Sequence, residues 1–314
     1  MTSLRKLGSS DLDVFPLSLG GNVFGWTADR AQSFAVLDAY TAAGGNFVDT
    51  ADTYSAWVPG NEGGESETVL GGWLAARGNR ADVVVATKVG AHPRYKGLSG
   101  ANIKAAADAS LRRLKTDYID LYYTHFDDPS VPVEEIITAL DELVRAGKVR
   151  AIAASNLSPE RLQESLDLSD REGLARYVAL QPRYNLVSRD SYEGPLRDVA
   201  SRAGLAVVPY SSLASGFLTG KYRAGAVVDS ARAGSAGAHL ESGRGPRVLA
   251  ALDEVARERG VEVATVALAW LASRPTVVAP IASARTVEQL PALLGVAGLV
   301  LTEGELGRLA SACG

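Results

Sequence analysis

The sequence predicts an α/β protein of a single domain, residues 1–314, folded as a closed (β/α)8 barrel of the TIM type. Three observations carry that prediction. Short β-branched runs alternate with longer amphipathic stretches from residue 15 nearly to the end, the pattern of repeated βα units around a parallel sheet. The runs number eight, which suits one barrel with insertions as well as the length does. No G-x-G-x-x-G turn follows the first run, as an open doubly wound sheet of that size would normally show.

The chain opens with LRKLGSSDLDVFPL, which reads as a small hairpin turning at Gly8-Ser9-Ser10 and suited to plug the barrel bottom. The predicted strands follow at 15–20, 46–50, 82–88, 118–125, 149–155, 177–181, 205–210 and 276–281. Between them Ile103, Ala107, Leu111 and Leu114, and again Ile136, Leu140 and Leu143, fall at helical spacing, so the crossovers are helices with one apolar stripe. Gly44-Gly45 and Gly147 end helices, Ser158 with Pro159 behind it starts one, and Thr286 with Gln289 reads as a capping box. Residues 223–246 break the alternation. This Gly-, Ala-, Ser- and Arg-rich stretch has little periodicity and is expected to be a mobile loop, either a tolerated surface insertion or a lid. Extra helices close the C-terminus.

At 46% hydrophobic, the chain can bury a large core. A net charge of −4, spread without blocks, leaves no footprint for nucleic acid or an anionic membrane. The N-terminal stretch lacks an apolar signal region, and no run of about 18 apolar residues is present to span a bilayer. The one cysteine, Cys313, has no partner for an intramolecular disulfide and fits a reducing cytoplasm. Of the three histidines, His92, His125 and His239, none belongs to a cluster with zinc-ligand spacing, so no metal is expected. The expected partner is a small molecule. No interface pattern speaks to oligomeric state.

In a barrel of this kind the active site lies at the C-terminal strand ends. Asp49 ends the second predicted strand, Tyr54 sits in the loop after it, Lys88 ends the third and His125 ends the fourth. The set suits carbonyl reduction, in which hydride arriving at carbon leaves an alkoxide that must be protonated as it forms. A phenol such as Tyr54 can donate that proton. The Lys88 ammonium is expected to lower the phenol's pKa, Asp49 to hold Lys88 charged, and His125 to hydrogen-bond the substrate oxygen and fix its approach. Singly, each residue has a plainer reading: a structural ion pair, a rim aromatic, a satisfied strand-end histidine. Jointly, on adjacent strands, the chemical reading is the better one. Trp26, Trp57 and Phe126, near strand ends, either line an apolar pocket for an aromatic or alicyclic carbonyl or serve as loop packing.

The runs NFVDTADTYS, VVVATKVG, DYIDLYYTH, VRAIAASN, LQPRYN and PYSSLASGFLTGKY resemble the aldo-keto reductase superfamily in order and spacing, from about residue 3 to residue 290. That resemblance implies NADPH-dependent reduction of an aldehyde or ketone, with Asp49, Tyr54, Lys88 and His125 as catalytic residues. It implies Ser155, Asn156 and Gln181 as partners of the nicotinamide carboxamide and Tyr210 stacked on the ring. Ser211, Leu213, Gly216, Leu218 and Lys221 match the pyrophosphate loop. Ser283 and Arg285, just before Thr286, match the segment meeting the adenosine 2′-phosphate, and Gly21, Asn22 and Asp49 complete the cofactor set. A helix N-terminus with an arginine is a sound anion site, which favours NADPH/NADP+ over NADH. Pro291, Ala292 and Leu293 stand where relatives often carry a Glu-Asn pair, leaving Gln289 as adenine contact, helix cap or both. Ser283 replaces a common glycine. Arg232 matches an arginine that folds over the cofactor, so the irregular segment would be a clasp whose opening limits product release. The same resemblance leaves one alternative, an NADP(H)-binding regulatory subunit like the potassium-channel β subunits.

Overall fold

The structure, a computed structural model, describes residues 3–313 apart from 224, 226, 227 and 232. Among them eight parallel strands form one sheet: β1 (Ser18–Gly20), β2 (Phe47–Asp49), β3 (Val84–Val89), β4 (Ile119–Thr124), β5 (Val149–Ser155), β6 (Tyr177–Gln181), β7 (Ala206–Val207) and β8 (Ile281–Ala282). Neighbours follow chain order from β1 to β7, with β8 on the far side of β1. Val207 also bridges Val277 in parallel, and Ile281 N donates to Pro209 O at 2.9 Å, which brings the last strand back onto β7 and closes the barrel.

Six strands are shorter than the sequence suggests, and β1, β7 and β8 lose the most, for one shared reason. Pro16, Pro209 and Pro280 fall inside the expected runs 15–20, 205–210 and 276–281 and have no N–H to donate to a ladder.

Side chains alternate between two compartments, as period-two strands require. One set, including Phe47, Ala86, Leu121, Ala153, Ala179 and Ala279, fills the barrel interior. The other, including Val48, Val85, Tyr122, Ile152 and Leu180, packs against the surrounding helices. The expected hairpin pairs Arg5–Lys6 with Asp13–Val14 and sends Leu7, Leu12 and Val14 into the interior cluster. Each buried leucine there contributes about 1.5–3 kcal/mol. Gly8, at φ 59°, approaches so closely that a Cβ would sit 2.1 Å from Val178 O, so the plug requires glycine at its turn.

The crossovers are α1 (Arg30–Ala42), α2 (Glu65–Arg77), α3 (Gly100–Leu114), α4 (Val133–Arg145), α5 (Pro159–Glu172) and α6 (Pro195–Arg202). Ser158 Oγ accepts from Arg161 N at 3.1 Å to cap α5, with Pro159 at its first position, as expected. Between β7 and β8 lie α7 (Ala233–Glu241), α8 (Gly245–Arg259) and α9 (Val263–Ala272), and α10 (Leu290–Leu294) and α11 (Glu303–Cys313) follow β8. The segment 223–246 is therefore not loop throughout: alanine favours helix without needing a wide apolar stripe, and the single fully buried Ala236 anchors α7. Arg232 lies outside the described residues. Thr286 does not cap a helix with its side chain, which bonds Glu288, and Gln289 Oε1 accepts from Arg285 N at 2.9 Å rather than from Thr286 N. No helix among the described residues is long and apolar enough to cross a membrane.

Candidate active site

Interior-facing positions recur every second residue, so Asp49 follows Phe47 and Lys88 follows Ala86 into the upper barrel, on paired strands β2 and β3. There Lys88 Nζ donates to both Asp49 carboxylate oxygens at 2.8 and 2.7 Å, to Thr50 O at 2.8 Å and to Tyr54 Oη at 2.9 Å. Three N–H groups thus serve four acceptors. Both charges are buried, and removing either would strand the other in low dielectric. Burial pushes the Lys88 ammonium below its ordinary value while the Asp49 charge opposes that push.

Tyr54 also donates toward Asp49 Oδ2 at 3.3 Å. Its phenol does not shift as the sequence suggested. Burial first, and then the Asp49 carboxylate, raise it well above its ordinary value. The neighbouring ammonium is already compensated by Asp49, which mutes its pull on the phenol. Tyr54 is accordingly a neutral, proton-bearing group at neutral pH.

His125 directly follows β4, its backbone N donating to Val89 O at 2.9 Å. Its ring meets that of Tyr54 edge-on at 6.1 Å and stacks on Phe126 at 4.7 Å, with the two planes 13° apart. Burial, then the Lys88 charge, hold its imidazolium well below the usual histidine range, so the ring is neutral. The structure brings all four residues of the expected set together.

A second network spans the ends of β5, β6 and β7. Ser155 Oγ donates to Gln181 O at 2.8 Å, and Asn156 Nδ2 donates to His125 O at 2.8 Å and to Ser155 Oγ at 3.0 Å. Asn156 Oδ1 accepts from the Tyr210 hydroxyl at 2.9 Å, and Gln181 Nε2 donates to Asp49 Oδ1 at 2.9 Å. Asn156 stands at φ 54°, a left-handed conformation that asparagine tolerates better than most side chains. It turns the chain just beyond β5.

Both networks open into one cavity of about 610 Å³. From Trp26, Trp57 and Phe126 it runs past Tyr54 and His125, then along Tyr210, Ser211, Leu213, Gly216 and Lys221 to Ser283, Arg285 and Gln289. Asn22 also lines it, and its Oδ1 accepts from Ser283 Oγ at 2.7 Å. Besides the wholly buried Lys88, which reaches the cavity only through its bond to Tyr54 Oη, two described residues named from the sequence do not form its wall. Leu218 is sealed in the core, and Gly21, whose carbonyl accepts from Ser66 Oγ at 2.7 Å, gives way to Gly20.

The cavity suits a long anionic dinucleotide. Ser211, Ala214, Ser215 and Gly216 all hold positive φ, which turns the loop sharply beside the cavity, with Ala214 N and Gly216 N donating within the loop to Ser211 O at 2.8 Å and Leu213 O at 2.9 Å. The Arg285 guanidinium lines the far end with no carboxylate partner among the described residues. Lys221 lies on the same side.

Several lining residues escaped sequence reasoning. Glu262 and Ala264 come from the start of α9, and Ala292 and Leu293 from α10. The last two were noticed only as departures from a pattern. No periodicity signals how helices after the last crossover pack over the barrel mouth.

The model of the Aldo/keto reductase family matches residues 16–313. The chain is 32% identical to Protein tas of Escherichia coli over 97% of its length and 96% of that protein's. It is 34% identical to the norsolorinic acid reductase stcV of Emericella nidulans, over 93% of this chain and 76% of that one. It is also 32% identical to a probable voltage-gated potassium channel subunit beta of Arabidopsis thaliana, over 91% of this chain and 88% of that one.

Proposed function

Because the chain belongs to the aldo/keto reductase family, an oxidoreductase family, we propose that it reduces an aldehyde or ketone to the alcohol with NADPH as reductant. The observation that carries the reading is Lys88 Nζ held between Asp49 and the Tyr54 hydroxyl at the inner end of the cavity, with a neutral His125 beside them. A bound reduced nicotinamide would supply the hydride. Ser155, Asn156 and Gln181 would hold its carboxamide, the Tyr210 ring its face, and Lys221 and Arg285 its phosphates, the last of these favouring NADPH over NADH.

The protein's own groups manage the proton. Lys88 donates to Tyr54 Oη, so the phenol's hydrogen is directed away from Lys88, toward Asp49 or a carbonyl oxygen in the cavity. Burial keeps that hydrogen on Tyr54 at neutral pH. As negative charge grows on the substrate oxygen, the phenol donates to it, and Lys88 stabilises the phenolate left behind. Neutral His125 hydrogen-bonds the same oxygen and orients the carbonyl. Asp49 keeps the ammonium charged in a site that would otherwise neutralise it. A cytoplasmic setting, with its supply of reduced nucleotide, accords with the single cysteine.

The likeness to a potassium channel β subunit supports a second reading, a regulatory subunit that binds the nucleotide as a sensor. One experiment separates the two: NADPH consumption with a panel of aldehydes and ketones, for wild type and Tyr54→Phe, repeated with NADH. Sustained turnover that falls by about 10²-fold or more in the variant is expected of the reductase. Tight NADPH binding without turnover supports the sensor, and equal activity in Tyr54→Phe removes Tyr54 from the proton-donor role.

A further inference from the structure

Resting on the NADPH reading, we propose that Glu262 is a specificity-determining residue for the cofactor, its carboxylate accepting a hydrogen bond from the exocyclic amino group of adenine. The base hangs from the same ribose as the phosphate assigned to Arg285, so it must lie within a sugar's width of that guanidinium. Gln289, Ala292 and Leu293 make one wall of this end of the cavity, and Glu262 and Ala264 line it from the start of α9.

Gln289, Ala292 and Leu293 fall at i, i+3 and i+4 of the helical turns that run from Val287 to Leu294, which sets them on one face. Helix α9 is tied to that segment, because Thr265 Oγ1 donates to Ala292 O at 2.6 Å. Glu262 stands just before Thr265, at the N-cap of α9. With Ala292 it borders a second, outer groove of about 570 Å³ as well as the cofactor cavity. The two residues therefore form the ridge that bounds the cavity's far end.

This wall needs an acceptor to read a base. Ala264, Ala292 and Leu293 offer a purine an apolar packing surface but nothing that recognises its edge, where adenine presents an amino donor beside a ring-nitrogen acceptor. Gln289 Oε1 is taken up by Arg285 N at 2.9 Å, which leaves the amide's Nε2 as a donor for a ring nitrogen and no acceptor for the amino group. Among the described residues two carboxylates line the cavity, Asp49 and Glu262, and Asp49 is bound to Lys88 and Gln181 at the inner end. Glu262 is exposed, makes no cap hydrogen bond to its own helix and pairs with no cation among the described residues, although Arg257 lines the outer groove and Arg285 the cavity. A carboxylate so placed repels phosphate and attracts an N–H donor. The amino group carries the only N–H bonds of the adenine base.

The test reads binding rather than turnover. Dissociation constants are measured by quenching of tryptophan fluorescence for NADPH and for its hypoxanthine analogue, in which a keto oxygen replaces the amino group. Wild type, Glu262→Ala and Glu262→Gln are compared, with thermal unfolding midpoints to show that each variant is folded. We expect wild type to bind NADPH about tenfold or more tightly than the analogue. Glu262→Ala should cut that preference to about twofold or less, chiefly through weaker NADPH binding, and Glu262→Gln, which keeps one acceptor, should retain an intermediate preference. Equal affinities in wild type, or a preference that survives in Glu262→Ala because both nucleotides weaken alike as a ribose contact would require, overturn the assignment and leave the NADPH reading standing. Failure of wild type to bind either nucleotide overturns the NADPH reading, and the inference falls with it.

Discussion

Gln181 Nε2 donates to Asp49 Oδ1 at 2.9 Å, tying the last residue of β6 to the last residue of β2 across the barrel mouth. Through Ser155 and Asn156 the same glutamine belongs to the network that reaches Tyr210 and His125. The residues assigned to the cofactor and those assigned to proton transfer are therefore one hydrogen-bonded unit. Gln181→Leu cuts the side-chain bond to Asp49 and removes the amide assigned to the cofactor's carboxamide, while the Gln181 backbone carbonyl still accepts from Ser155 Oγ. A bond to a charged group is worth about 1.5–3 kcal/mol, so urea denaturation should show a loss of that order. NADPH binding should weaken about tenfold in the same variant. Unchanged stability would mean that Lys88 alone holds Asp49.

Asp52 presents the opposite case, a buried carboxyl without support. It is wholly buried, neither of its carboxylate oxygens has a partner among the described residues, and its backbone N donates to Lys88 O at 3.3 Å. Burial first, and then Glu67, raise the carboxyl well above its ordinary range, against the pull of Arg113 and Lys88. With a folded value above the unfolded one of about 3.9, the native state keeps a proton that the unfolded chain releases. Its contribution to stability is full below the unfolded value and is lost progressively as pH rises to the folded value, at about 1.4 kcal/mol per pH unit. Asp52→Asn removes this dependence, so its stability relative to wild type should increase with pH across that window and then level off. Parallel curves of urea midpoint against pH for the two proteins would refute the assignment.

What the sequence made legible follows from what periodicity encodes. Eight βα units show because strands and helices impose different spacings, and the Asp49, Tyr54, Lys88 and His125 set shows because barrel chemistry collects at strand ends. Ladder lengths were not legible from β-propensity alone, since Pro16, Pro209 and Pro280 interrupt pairing without changing the apolar pattern. Helix α7 was missed because an alanine-rich helix held by one buried residue leaves no stripe to read. The rise of the Tyr54 phenol depended on burial and on a carboxylate 3.3 Å away, neither of which a spacing reports.

That rise fixes the sign of the pH response in the two directions of reaction. Reduction needs the proton on Tyr54, and a phenol held well above its ordinary value keeps it through neutral pH and into the alkaline range. Reduction measured as kcat/KM should therefore stay level there. Alcohol oxidation needs the deprotonated oxygen as acceptor, and each pH unit below the phenol's pKa leaves about tenfold less of it. Oxidation should accordingly climb with pH over the range in which reduction is level. Lys88→Met removes the ammonium that stabilises the phenolate, so reduction should fall by about 10²–10⁴-fold and the climb in oxidation should move to higher pH. Stopped-flow measurement of the hydride-transfer step in both directions provides the check. A reduction rate that titrates away near neutral pH would identify a different group as the proton donor, since Tyr54 in this setting cannot lose its proton so early.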